Sequence, residues 1–109
     1  MKAKPVIPRQ LANRDVDEAV AYYLKEGAEQ AALGFIGALE RAYRDIGRHP
    51  AAGSPRYAHE LDLPDLRVWP LSRYPYLVFY VDRPEHIDVW RVLHGQRDIP
   101  VWMQEPEGG

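Results

Sequence analysis

The sequence predicts an α+β domain in which a helical hairpin packs on one face of a mostly antiparallel four-stranded sheet. Three observations lead there. Runs rich in β-branched and aromatic residues follow one another over residues 66–98, separated by short Pro- or charge-bearing turns, as in a strand meander. Upstream of them, apolar residues recur at three- and four-residue steps, the period of amphipathic helices. The length, 109 residues, supports one modest core, so helices and strands must share it.

Taken in order, Val6 and Ile7 stand between Pro5 and Pro8 and make a short first strand. Proline removes a ladder donor, which places that strand at a sheet edge. From Leu11 the period changes: Ala12, Val16, Ala19, Val20, Tyr23 and Leu24 form one helical stripe, Asp15, Asp17 and Glu18 complement the dipole in the first half, and Gly27 marks the stop. A helix is expected over residues 11–26, with Arg9 as an earlier start. In a second helix, over about residues 29–48, Ala32, Phe35, Ile36, Leu39, Tyr43 and Ile46 share a stripe until Pro50 ends it. The short break between the helices predicts an antiparallel hairpin. Gly34 and Gly37 read as sites of close approach by the first helix, at about 1 kcal/mol each relative to Ala.

Residues 51–65 read as an irregular connection, long enough to be functional rather than idle. Strands follow over residues 66–71, 76–81 and 87–94, giving the order β-α-α-β-β-β. Val20, Leu24, Phe35, Leu39, Tyr43 and Phe79 are the expected core. A sheet with one wet face alternates cleanly between apolar and polar residues. Here both parities are apolar: Leu77, Phe79 and Val81 on one side, Tyr76, Val78 and Tyr80 on the other. With one helical layer, the second face needs cover, and a partner is the first expectation. The alternative is the long connection together with the Trp102 tail. A single domain is expected over residues 1–99, with residues 100–109 as a tail that frays from 104 onward.

Composition excludes several classes. No segment approaches the roughly 18 apolar residues of a membrane span, and no apolar core follows the basic start, so a cytoplasmic protein is expected. The chain has no cysteine, and His49, His59, His86 and His94 never fall three or four apart, so neither a metal nor another cofactor is expected. Fourteen basic and 16 acidic residues leave a net charge of −2 with no basic stripe, which argues against direct nucleic-acid binding.

Pro50 with Gly53, then Leu66-Arg67, then Tyr76-Leu77-Val78-Phe79-Tyr80, then Arg91-Val92-Leu93-His94-Gly95-Gln96-Arg97-Asp98-Ile99 resemble the ParE branch of the RelE/ParE toxin superfamily, over residues 5–99. The resemblance implies a type II toxin–antitoxin toxin, neutralised by a co-expressed ParD-like antitoxin in a hetero-oligomer. Toxins of the ParE branch are thought to poison DNA gyrase, whereas the RelE branch cuts mRNA on the ribosome.

Cleaving RNA through its 2′-hydroxyl requires a proton acceptor, a proton donor and cations for the phosphorane. RNA-cutting relatives typically place an Arg where this chain has Leu77, so the leading reading is non-enzymatic gyrase inhibition with no catalytic residue. A ribosome-dependent mRNA endonuclease is the runner-up, with Arg67, His94 and Arg97 as its polar groups, and a non-toxic interaction protein of the same fold is a third reading. Arg67, Trp69, Tyr80, Arg91, His94 and Arg97 are the expected contacts to antitoxin or target. Each has a structural alternative: His94 fixes the final turn, Arg67 and Arg91 pair across neighbouring strands with acids such as Asp88, Asp98 orients Arg97, and Trp69 and Tyr80 serve the core.

Overall fold

The structure, a computed structural model, describes residues 3–97 and 99–103. β1 (Val6–Pro8) is bounded by its prolines and leads through the extended Arg9 into α1 (Gln10–Lys25). That helix ends in a Schellman motif, the Gly27 amide donating to the Leu24 carbonyl at 3.0 Å and the Ala28 amide to the Tyr23 carbonyl at 2.8 Å. Gly27 takes φ +72°, a region that a Cβ disfavours, and the chain reverses there so that α2 (Glu29–Arg48) packs back on α1. A 3₁₀ turn, Pro50–Ala52, and the short helix α3 (Arg56–Glu60) occupy the stretch expected to be irregular. β2 (Leu66–Pro70), β3 (Tyr76–Asp82) and β4 (Ile87–His94) pair antiparallel, β1 joins β4 in parallel, and the sheet order is β1-β4-β3-β2. The apolar stretch assigned to the tail is a helix, α4 (Ile99–Met103). The expected fraying of residues 104–109 and the role given to Asp98 lie outside the described residues.

The sheet is apolar on both faces because both are covered. On one, Phe35, Leu39 and Ile46 of α2 with Ala12 and Ala19 of α1 meet Val78, Tyr80, Val89 and Val92. On the other, Leu66, Val68, Phe79, Val81 and Leu93 pack with Ile99, and Tyr57, Leu61, Trp102 and Met103 lie against them. The expectation of a partner over this face is therefore corrected: α3, α4 and the long connection cover it within the chain. A β-bulge, with Phe79 opposite Arg91 and Tyr80 opposite Val89, leaves Trp90 as the extra residue of β4.

Two expectations about the hairpin also change. Leu24 is 51% exposed, because Tyr23, one position earlier, takes the inward place in the last turn of α1. Val20 and Tyr43 are only partly buried, while Phe35, Leu39 and Phe79 are buried as expected. Gly34 serves the β2–β3 connection rather than α1, since a Cβ there would collide with the Tyr74 hydroxyl. At Gly37 the neighbour is Arg41 of the same helix.

Candidate functional site

β1 pairs with β4 only along residues 87–89, and past that point α1 takes over the edge of β4. The Val92 amide donates to Asp15 Oδ2 at 3.0 Å. Asp15 also receives Arg91 Nε and Nη2, each at 2.7 Å, while Arg91 Nη1 donates to the Trp102 carbonyl at 2.7 Å. One buried guanidinium thus joins α1, β4 and α4, with Arg91 4% and Asp15 8% exposed. Such a pair holds only when both ions are fully hydrogen-bonded, as the extra amide and carbonyl allow.

Where α1 passes the end of β4 and the start of β3, a cleft of about 500 Å³ opens. Ala19 and Val92 contribute apolar surface, Tyr22, Tyr23 and Tyr76 supply aromatic walls, and His94, Gln96, Arg97 and Glu18 add polar groups. His94 Nδ1 accepts the Gln96 amide at 3.1 Å, which assigns the ring proton of the neutral imidazole to Nε2. The imidazole stands edge-on to Tyr76, with ring centroids 5.3 Å apart. Burial pushes the Tyr76 hydroxyl above its ordinary value, with the nearby Arg97 charge opposing the shift. Burial raises Tyr23 as well, reinforced by the neighbouring phenols of Tyr76, Tyr74 and Tyr22. Arg97 lies over the Trp102 ring at 4.0 Å from its centroid. Phenols, an imidazole N–H and a guanidinium form a set of donors suited to an oxygen-rich, negatively charged group.

Of the residues singled out from the sequence, His94 and Arg97 come together here. Arg67 does not: it lies on β2, where its Nη1 donates to the carbonyls of Ala51 at 3.1 Å and Gly53 at 2.7 Å. The runner-up catalytic set of Arg67, His94 and Arg97 is thus not assembled. β3 runs between β2 and β4, so Arg67 and Arg91 are not on neighbouring strands, and the acid on Arg91 is Asp15 rather than Asp88. Asp88 instead receives Arg9 and Arg83. Tyr80 is fully buried, accepting the Gly53 amide at 3.1 Å and donating to the Pro50 carbonyl at 2.7 Å. Neither Tyr80 nor Arg91 presents a side chain to a partner in this conformation. Trp69 is partly buried against the hairpin-side core. Sequence reasoning missed Glu18, Tyr22 and Tyr23, whose signal was a tyrosine doublet at the border of the α1 stripe, one ring partly buried in the core and the other 55% exposed.

A family model described as "ParE toxin of type II toxin-antitoxin system, parDE" matches residues 6–99. No curated protein matches the sequence. Among solved structures, the chain is similar to one from the chromosomal ParDE TA system of P. aeruginosa, with a TM-score of 0.70 at 17% identity, covering 84% of this chain and 96% of that one. At that identity the likeness is one of fold.

Proposed function

Since the chain belongs to the ParE toxin family of type II toxin–antitoxin systems, we propose that it stops growth in the cytoplasm by binding and inhibiting DNA gyrase, without catalysis, and that a ParD-like antitoxin neutralises it in a hetero-oligomer. The observation that carries the non-catalytic part is the use of its sheet arginines. Arg91 is buried on Asp15 and the Trp102 carbonyl, and Arg67 is engaged by the carbonyls of the long connection. Neither lines the cleft, where Arg97, past the end of β4, is the arginine of the lining, with Glu18 in the same lining. Losing one positioned charge-stabilising donor typically costs about 10²- to 10³-fold in rate. An RNA-cleaving site built on His94 would need more cations than this cleft supplies.

The juxtaposition of His94 and Arg97 is what favours the endonuclease as second reading. Expressing the toxin without antitoxin separates the two, with ribosome-bound mRNA cleavage and gyrase supercoiling followed in parallel. Inhibited supercoiling with intact mRNA is the expected result. Codon-specific cuts that disappear in His94→Ala or Arg97→Ala would replace the proposal with the second reading.

A further inference from the structure

We propose that the cleft beside His94 and Arg97 seats a short acidic segment of the toxin's protein target, and that the antitoxin docks elsewhere. This rests on the reading that the chain acts by binding. The reason lies in which polar groups the fold leaves unused. Among the described residues, the hydroxyls of Tyr22, Tyr23 and Tyr76 have no hydrogen-bond partner, and the Arg97 guanidinium, stacked on the Trp102 ring with its charge near Tyr76, makes no side-chain hydrogen bond or ion pair. His94 keeps its Nε2 proton for a ligand because Nδ1 is taken by the Gln96 amide. Donors gathered around apolar surface recognise carboxylates that carry hydrophobic neighbours. The other acid of the lining, Asp15, is neutralised by Arg91, so it does not repel such a segment.

Size selects the occupant. About 500 Å³ holds a few side chains, the scale of an anchoring pocket within a larger interface. A neutralising partner that folds as it binds must instead bury on the order of 1,000–3,000 Å². Outside the cleft, the hairpin has apolar side chains that such an interface could start from, with Leu24 51% and Leu33 64% exposed. Glu18 limits the register, since an acid brought against it would be repelled. Glu18→Gln should therefore tighten binding, whereas Arg97→Gln and Tyr76→Phe should weaken it.

The test has two arms. In the first, the full chain labelled with ¹⁵N is titrated with an N-acetylated hexapeptide of alternating leucine and glutamate, and with its glutamine counterpart. Amide shifts concentrated at Gln96, Arg97 and Tyr76, seen with the glutamate peptide and lost with the glutamine one, are expected. Their absence overturns the proposal. In the second arm, Arg97→Gln and Tyr76→Phe are compared with the parent in gyrase inhibition and antitoxin affinity. Inhibition should fall about tenfold or more while antitoxin Kd changes less than about threefold. An equal loss of antitoxin binding would assign the cleft to the antitoxin, and no change in either would show it idle. Both results overturn the proposal. If the parent chain inhibits no gyrase, the proposed function fails, and the peptide titration still decides what the cleft recognises.

Discussion

Asp15 and Arg91 form a buried two-pronged ion pair, 76 positions apart in sequence and 2.7 Å apart at both contacts. Replacing either residue with Ala leaves the other charge buried without its partner, a change that typically costs about 3–5 kcal/mol. Removing both strands no charge, so the double variant should lose less than the sum of the singles by roughly 0.5–3 kcal/mol. Urea unfolding of the three variants measures this coupling. Single losses below about 1 kcal/mol would mean the pair contributes little to joining α1, β4 and α4.

Tyr43 presents the opposite case. Its hydroxyl is buried and has no hydrogen-bond partner among the described residues, and burial, with the Asp15 charge second, pushes its ionisation far above the ordinary value. An unsatisfied buried polar group costs about 1–3 kcal/mol. Tyr43→Phe keeps the ring and removes the oxygen, so it should raise stability by about 1 kcal/mol. A drop in the urea midpoint at unchanged slope would reveal a partner for that hydroxyl.

Acid sensitivity should centre on Asp88. Burial pushes its carboxyl up, but hydrogen bonds from Arg9, Trp90 and Arg83 outweigh that and hold it below the ordinary value of 3.8. The folded state therefore binds this proton more weakly than the unfolded chain does. The resulting stability is present above the ordinary value and is lost as pH falls from about 4 through the lower folded value. The stability gap between the parent and Asp88→Asn should be full at about pH 6 and shrink below about pH 4. A gap that stayed constant through the acid range would place the titration elsewhere.

The element order was legible because periodicity, prolines and Gly27 are local signals, and the structure needs no more to set the hairpin against the sheet. The apolar second face was legible as well, and its cover only as the second of two expectations: the helical character of α4 depends on Ile99 and Trp102 meeting Phe79 and Leu93 across the fold. The cleft was half legible. His94 and Arg97 belong to one contiguous motif, whereas Tyr22 and Tyr23 arrive from α1, some 70 residues away in sequence. Asp15 read as a helix-dipole acid because no local pattern tells a solvated carboxylate from one that meets a distant arginine. A single extra residue at the bulge, invisible to strict alternation, changes which side of β4 each later residue faces.

Leu77 offers the last test, because the resemblance drawn from the sequence sets it where an RNA-cutting relative is expected to carry Arg. It pairs with Leu93 in the sheet register and packs against the core formed with α3 and α4. His94 and Arg97 line the cleft, and Leu77 is not part of that lining. An arginine introduced there would lose apolar burial worth about 1–3 kcal/mol and would bring its charge to the face remote from the hairpin. Arg67 would still be held on the carbonyls of Ala51 and Gly53. Leu77→Arg should therefore lower the Tm without producing mRNA cleavage, as measured by thermal unfolding and by primer extension on ribosome-bound transcripts. Cleavage in this variant would mean that the substitution reaches the cleft, and that a missing cation is all that separates this fold from an RNA-cutting enzyme.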